Sequence, residues 1–392
     1  MGRTPGAVHE RERIDVLFVG AHLGKGGGLA LQAYQLFLAL KSVINVQFLC
    51  LDSPGIHSPL AEQPGVTVAG PLEFPKGVST LRDALREVRD DYDLFQIIDP
   101  YYGLPAAFLA RASPRVVNLG TDPRTEIGWR FGRAAGALTR LGMLPLLSEG
   151  AIVANSQTLA ARFRSRHPHV IPNGVDLSRF ERVSSKQEAR RSRGLPENRT
   201  ILMFVGKVIP VKRVEWILEV VRRMPGIVAV VVGGYNEPFY RDAYYRELQS
   251  RYPDVLERVI FTGEVPWPEV ARYLAAADVF VFPSRFEGLP NAVMEAMASG
   301  LPVVASDIPP HRELIEHGRT GFLASDPESM ARFAGELVQD EALRQEVGES
   351  GRRFVQGRFT AEACARSYVE LYHSVLEGTH EPSPALHTSL DL

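Results

Sequence analysis

Two glutamates eight positions apart, Glu287 and Glu295, lie in the run Phe286-Glu287-Gly288-Leu289-Pro290-Asn291-Ala292-Val293-Met294-Glu295. Before it stands an apolar strand pattern, Val279–Phe282; after it, Gly300 and Pro302 give a helix stop. A strand therefore runs into a glycine-containing loop and then a helix. Pro290 suits the first turn, where its missing N–H has no partner to lose. Such a helix start offers free N–H groups and a positive dipole end to a phosphate. Gly288, Leu289 and Asn291 are the candidates to present those N–H groups. One carboxylate can accept ribose hydroxyls, and the other can accept sugar hydroxyls one diphosphate away. The bland alternative is a capped helix with a surface glutamate.

Two lysines supply the opposite charge. Lys207 and Lys212 lie in Gly206-Lys207-Val208-Ile209-Pro210-Val211-Lys212-Arg213, directly after the strand pattern Thr200–Val205. A first strand-to-helix turn is the usual phosphate position of a doubly wound sheet. Lysines converging there can offset a pyrophosphate without a metal, although lone turn lysines are usually solvated. Glu287, Lys212 and Lys207 are the candidate catalytic groups. A third segment, Gly20-Ala21-His22-Leu23-Gly24-Lys25-Gly26-Gly27-Gly28, follows the strand pattern Ile14–Val19. It fails as a P-loop, because the spacing is too short and Gly26 replaces the Ser/Thr that would hold Mg²⁺. It also lacks the dinucleotide G-x-G-x-x-G register. What remains is a flexible loop through which Gly26 and Gly27 can approach a donor closely, with His22 on the acceptor side.

The elements that must position these groups are legible as alternating strands and helices. Ile14–Val19, Val43–Leu51, Leu94–Ile98, Arg115–Leu119 and Ala151–Ala154 read as strands, with helices such as Leu29–Lys41, Leu81–Arg89 and Gly128–Leu147 between them. The pattern restarts with strands Thr200–Val205, Ile227–Val232, Arg258–Thr262, Asp278–Phe282 and Pro302–Ala305. Helices Val214–Arg223, Phe239–Arg251, Pro268–Ala275 and Asn291–Ser299 separate them. Near-continuous apolar strands alternating with helices imply parallel sheets covered on both faces. The polar stretch Asp176–Arg199 shows no strand and reads as the interdomain connection. The expected fold is α/β: two doubly wound, Rossmann-like domains with ligands in the crevice at the strand C-terminal ends.

Composition narrows the class. The 392 residues are 45% hydrophobic and 23% charged, which suits a globular chain of about two domains. A net charge of −2 gives no global field for nucleic acid. Cys50 and Cys364 are too few and too far apart for a disulfide scaffold, and suit a reducing compartment. No stretch approaches the ~18 apolar residues of a spanning helix, and no secretory h-region is evident. A cytoplasmic protein is expected.

Together the three segments resemble the retaining glycosyltransferases of family 4, with the GT-B fold. The resemblance covers nearly the whole chain. Its strongest marks are the E-x7-E pair Glu287/Glu295 and the G-K-x4-K turn, where the family more often has G-R-x4-K. Val170-Ile171-Pro172-Asn173-Gly174-Val175-Asp176 looks like that family's passage between domains, and Ala305-Ser306-Asp307 and Gly318–Phe322 look like its late second-domain segments. The resemblance implies that Lys207 and Lys212 bind the donor diphosphate, Glu295 the ribose and Glu287 the donor sugar. Gly263 to Val265 would lie against the base, mainly through main chain. The implied layout is an acceptor domain at 1–180, a nucleotide-sugar domain at 181–359, a crossing helix at 360–376 and a flexible tail at 377–392. No cofactor or metal is implied, because the nucleotide sugar is a substrate. The partners are then a UDP-linked hexose or amino-hexose donor and a small-molecule acceptor, with no nucleic acid.

One departure concerns the acceptor side. Many family members carry a His where this chain has Leu119, in Asn118-Leu119-Gly120-Thr121-Asp122, and a second where it has Asp99. Asp99 and Asp122 each follow a first-domain strand, with Glu126 close behind. Carboxylates in a cleft would favour a cationic acceptor. The soluble, antibiotic-pathway members are the nearest resemblance, among them those that glycosylate 2-deoxystreptamine-type pseudosaccharides as in kanamycin-like aminoglycosides. The alternatives are a transferase working on a lipid or polysaccharide acceptor at a membrane, a nucleotide-sugar epimerase, and a non-catalytic binding protein. Asp91-Tyr92-Asp93 offers the D-x-D of a metal-dependent transferase, but it precedes a strand and reads as a polar turn. Arg124–Leu147, with Arg124, Arg130, Arg133 and Arg140 beside Trp129, Phe131, Leu138 and Leu141, has the make-up of a basic amphipathic helix. An ordinary helix with solvated arginines is the preferred reading.

Overall fold

The computed structural model describes residues 14–20, 28–52, 63–73, 75–143, 145–148, 150–181, 185–234 and 242–379. His22, Gly26 and Gly27 lie outside these residues, as does the tail from 380 onward.

Thirteen strands form two parallel sheets. The first contains β1 (Asp15–Gly20), β2 (Asn45–Asp52), β3 (Val66–Pro71), β4 (Leu94–Ile97), β5 (Arg115–Leu119), β6 (Ala151–Ala154) and β7 (His169–Val170), in the order β3-β2-β1-β4-β5-β6-β7. The second contains β8 (Thr200–Val205), β9 (Ile227–Val232), β10 (Val259–Gly263), β11 (Val279–Phe282), β12 (Val303–Ser306) and β13 (Phe322–Ala324), in the order β10-β9-β8-β11-β12-β13. In each, the chain winds outward one way from a central strand, then reverses. β1 lies between β2 and β4, and β8 between β9 and β11, so both sheets have their switch point beside the first strand. Crevices open there, at the strand C-terminal ends.

The inner strands of both sheets are buried because helices cover both faces. Every residue of β4, β5, β6, β9, β11 and β12 is buried. The helix Val214–Arg223 shows how sequence sets packing: Val214, Ile217, Leu218 and Val221 recur at helical spacing and are buried on the second sheet. The helix Ala361–Leu376, capped by Thr360, crosses back to the first sheet. Its Ala365, Tyr368, Leu371, Tyr372 and Val375 complete the core around Phe18, Phe37 and Phe48. Tyr372 also donates to Gln96 Oε1 inside that core, at 2.9 Å. Gly174 sits against Thr360 and Ala361 so closely that a Cβ there would collide with their backbone, which holds both interdomain crossings together.

The structure corrects several local expectations. It adds three strands, β3, β7 and β13, that carry little apolar pattern: β3 is mostly half-exposed, and the other two have only two and three residues. β2 starts at Asn45, because Val43 belongs to a turn that donates to the Leu40 carbonyl. The single helix expected over Gly128–Leu147 is two, Pro123–Phe131 and Arg133–Met143, broken at Gly132 with φ 92°. The second-domain helix expected from Phe239 is described over Ala243–Arg251. The described residues of the segment Asp176–Arg199 have no strand, yet it is no loose linker. Ala189 and Leu195 are buried in the second core, and Arg190 bonds Asp278, Ala276 O, Glu197 O and Arg199 O. Cys50 and Cys364 are free thiols.

Candidate active site between the two sheets

The C-terminal ends of the two sheets meet at Gly288. A Cβ there would collide with the Gly120 carbonyl after β5 and press on the Asn155 side chain after β6. Glycine is what lets the loop between β11 and the helix Asn291–Ala298 touch the first domain. Asn173 adds a second tie: its Nδ2 donates to Asn291 Oδ1 at 2.7 Å and to Leu289 O at 3.3 Å. The start of that helix is thus tied to the first domain and to Asn173.

The turn after β8 is laced to the end of β9. Gly206 N donates to Val232 O and Val208 N to Gly234 O. Gly233, at φ 150°, leaves no space for a Cβ against the Gly206 carbonyl. This turn carries half-buried Lys207, then a short 3₁₀ turn, Pro210–Lys212. Lys212 Nζ lies 2.5 Å from Glu287 Oε1 and 5.2 Å from the centre of the Phe282 ring. The lysine turn and the glutamate loop, 75 positions apart in sequence, therefore form one site.

Glu295 is buried, 3% exposed, one turn into its helix. Its Oε1 accepts from Arg179 Nη1 at 2.7 Å and from the Trp267 indole N–H at 3.0 Å. Arg179 stacks over Trp267, with its guanidinium carbon 3.7 Å from a ring centre. A carboxylate has about four acceptor positions. Both of these bonds fall on Oε1, so Oε2 keeps acceptor capacity for a ligand hydroxyl. Val265, half-buried against the second core, follows β10 beside the Gly233–Gly263 bridge.

Behind the lysine–glutamate pair lies His311, fully buried. Its Nδ1 stands 2.6 Å from Ser306 O, and a carbonyl only accepts, so Nδ1 carries the proton. Ser306 Oγ in turn donates to Ser284 O. Burial pushes the imidazole down to about 4; nearby Glu287 opposes the shift, and Lys212 and Arg213 add to it.

On the first-domain side the carboxylates are occupied. Asp99 accepts from the backbone N–H groups of Tyr101, Tyr102 and Gly103. Asp122 caps the helix Pro123–Phe131 through Arg124 N and pairs with Arg162 at 3.0 Å. Glu126 accepts from Tyr101 Oη and Thr121 Oγ1. The expectation for Asp99 and Asp122 is an acceptor-binding carboxylate; each also holds its own loop or helix start, and Glu126 beside them holds Tyr101 and Thr121. Asp91 and Asp93 precede β4, at the N-terminal ends of the central strands and so away from the crevice; there Asp93 Oδ2 accepts from Asp15 N at the start of β1. Among the described residues no three His, Cys, Asp or Glu side chains gather as a metal site.

Sequence reasoning names the lysines and glutamates but misses their supports. Asn173 sits in a segment that the sequence does single out. Arg179, Trp267, His311 and Glu313 carry no motif: their roles depend on the approach of elements far apart in the chain. Glu313 takes N–H bonds from Gln157 and Thr158 across the cleft, at 2.9 and 2.8 Å.

Residues 26–179 match the family described as Glycosyltransferase Family 4, and residues 199–340 match Glycosyl transferases group 1. The GDP-mannose-dependent alpha-mannosyltransferase of Mycobacterium tuberculosis is 32% identical over 303 residues, which cover 74% of this chain and 75% of that protein. The lipopolysaccharide core biosynthesis glycosyltransferase LpsE of Rhizobium meliloti is 29% identical, over 69% and 79% of the two chains. Among solved structures, Anabaena Alr3699/HepE in complex with UDP and glucose superposes with a TM-score of 0.78 at 22% identity, covering 92% of this chain and all of that one. At that identity the likeness concerns the fold, which is GT-B: two Rossmann-like domains around a cleft.

Proposed function

Because this chain belongs to the glycosyltransferases of family 4 and group 1, we propose that it transfers a hexose from a UDP-linked donor to an acceptor hydroxyl with retention of anomeric configuration and without a metal. The observation that carries this reading is the Lys212–Glu287 contact beside the start of the helix Asn291–Ala298. This reading is supported by a cation, a helix start and a carboxylate brought into one crevice.

In the mechanism we propose, Lys212, Lys207 and the backbone N–H groups of Gly288 to Asn291 stabilise charge that grows on the diphosphate as the glycosidic bond breaks. Groups that act on developing charge lower the barrier and do not merely tighten binding. Glu287 holds Lys212 and reaches the donor sugar, and Glu295 takes ribose hydroxyls through Oε2. The acceptor attacks from the leaving-group face, and the departing phosphate takes its proton. The UDP preference is supported by the UDP and UDP-glucose complexes of Anabaena Alr3699/HepE; the mannosyltransferase relative uses GDP-mannose.

For the acceptor we place an envelope glycan first, by kinship with the lipopolysaccharide core enzyme. An aminocyclitol acceptor stands second. The strand-end carboxylates that suggested it, Asp99 and Asp122, have structural partners.

The test is a panel of UDP- and GDP-sugars, scored by donor hydrolysis and by mass shift of glycan and aminoglycoside acceptors. UDP-sugar turnover that survives EDTA is expected. Turnover of GDP-mannose alone would change the base, and loss of all turnover with EDTA, restored by Mn²⁺, would overturn the metal-free mechanism. An epimerised donor with no acceptor adduct would make the chain an epimerase.

A further inference from the structure

The helical hairpin that follows β5 turns an apolar face outward. The helix Arg133–Met143 packs on Pro123–Phe131 through Gly136, whose close approach to the Arg124 carbonyl leaves no room for a Cβ. Gly136 and Met143 are buried and mark the inner face. At about 100° per residue, Ala134, Leu138 and Leu141 fall on the opposite face. Leu138 is 69% exposed and Leu141 66%; Ala134, Ala137 and Phe131 are exposed beside them. These are the most exposed leucines among the described large hydrophobics.

The charge carried by the hairpin is mainly basic: Arg124, Arg130, Arg133 and Arg140 stand against one acid, Glu126, which accepts from Tyr101 and Thr121. From Ile127 to Leu147 the sequence has no acidic residue, but it has Arg130, Arg133 and Arg140, with Arg124 just before. Arg124 and Arg133 are exposed. An anionic lipid surface offers both an apolar layer for the leucines and negative headgroups for the arginines.

We propose that the hairpin Pro123–Met143 is a peripheral docking element that lays Leu138 and Leu141 into the headgroup layer of an anionic bilayer. Insertion is shallow, since no helix among the described residues is long and apolar enough to cross a membrane. The hairpin starts at Asp122, its cap, at the cleft end of β5. Docking there brings the first-domain side of the cleft to the surface. The inference stands on exposure and charge alone and does not depend on which acceptor is used.

The full chain is mixed with phosphatidylcholine vesicles, with and without phosphatidylglycerol, and sedimented at low and high salt. The wild-type chain is expected to pellet with the anionic vesicles only, and to be released by salt. The double substitution Leu138→Glu/Leu141→Glu should abolish pelleting while leaving circular dichroism and donor hydrolysis unchanged. The single charge variant Arg133→Glu should weaken pelleting without touching the leucines. Pelleting equal in the double variant, or no pelleting of the wild type with anionic vesicles, overturns the proposal. So does a wild-type dimer that the double variant converts to a monomer, because the face then belongs to a second copy.

Discussion

Lys212 Nζ lies 2.5 Å from Glu287 Oε1, although the two residues come from different strand-to-helix loops of the second sheet. The contact exists because β8 and β11 are neighbours at the switch point, so the loops leaving them share one crevice. Each group is largely buried, with side-chain exposures of 18% and 12%. Removing either one strands the other charge in a poorly hydrated place.

The first prediction follows from that pairing. Lys212→Ala should lower turnover by roughly a hundred- to a thousand-fold, the usual cost of losing one transition-state electrostatic contact. Glu287→Gln should also lower turnover, because it removes the carboxylate that holds Lys212; under the proposed assignment of Glu287 to the sugar end it should disturb UDP affinity less than Lys212→Ala does. Titration of UDP by calorimetry, set beside donor hydrolysis rates, separates the two. Wild-type-like turnover in Lys212→Ala would remove the diphosphate assignment.

Glu295 rests on Arg179, and this gives the second prediction. Arg179→Met removes the cation from a pair whose side chains are 11% and 4% exposed. Breaking a buried pair from one side costs about 3 kcal/mol, so the melting temperature should fall. Nucleotide binding should weaken as well, because the Glu295 carboxylate loses the group that fixes it. Glu295→Gln keeps the shape and the bond from Trp267, and should lose less stability than affinity. Unchanged UDP affinity in both variants would take Glu295 out of the nucleotide site.

Asp99→Asn and Asp122→Asn give the third. As structural groups, they accept backbone N–H bonds at a loop and a helix start. Asn caps about as well as Asp, so the cost comes from the lost charge, which in Asp122→Asn gives up the Arg162 pair; both variants should melt only slightly earlier, with the acceptor KM little changed. An acceptor KM raised in both, at unchanged stability, would favour the cationic-acceptor reading.

Much of this site is legible in the sequence, and the part that is not has a physical cause. Glu287, Glu295, Lys207 and Lys212 each sit at a fixed offset from an apolar run, so strand-to-helix turns can be placed around them. Val214–Arg223 is legible to the residue because its apolar period is unbroken. The hairpin at Gly132 reads as one helix, since a glycine within a periodic run does not by itself announce a positive φ. The loop bonds of Asp99 and Asp122 are not legible, because a sequence shows that a carboxylate follows a strand but not whether backbone N–H groups will turn back to meet it. Arg179, Trp267 and Glu313 are invisible for a related reason: their partners are contributed by elements 28 to 156 positions away.

Glu313 is the fourth case. It belongs to the second domain, yet accepts from Gln157 N, Thr158 N and Thr158 Oγ1 at the start of a first-domain helix. From the end of that same helix, Arg162 lies over the Phe286 ring, at 5.5 Å, next to Glu287. The two contacts draw the domains together over the donor loop. A charge-assisted bond contributes about 2 kcal/mol, and Glu313 is half-buried, so the gain is smaller than its three bonds suggest. Glu313→Ala should shift the chain toward an open form. Small-angle scattering should show a larger radius of gyration, and donor KM should rise more than kcat falls. An unchanged radius with unchanged KM would show that closure does not depend on this contact.

The last prediction concerns acid. His311 is fully buried, and its Nδ1–H is bound to Ser306 O. Protonation would add a charge and place a proton on Nε2, which has no hydrogen-bond partner among the described residues. Burial therefore holds its pKa down to about 4, against 6.5 for a free imidazole. The sign follows from linkage: above pH 6.5 the imidazole is neutral in both states and contributes no pH dependence. Below 6.5 the unfolded chain takes up a proton that the folded chain refuses, so stability falls with pH until about 4. The full loss across this window is about 3 kcal/mol, since one proton held by the unfolded chain alone costs about 1.4 kcal/mol for every pH step of one. Glu287, Lys212 and Arg213 bear on this imidazole, so variants at Lys212 or Glu287 should move the lower end of the window in opposite directions. Denaturant midpoints measured from pH 7 to pH 4 check this. His311→Leu keeps the site apolar and removes the titrating group, and the slope between pH 6.5 and 4 should flatten even if the variant is less stable throughout. A wild-type slope preserved in His311→Leu would assign the acid sensitivity to the carboxylates instead.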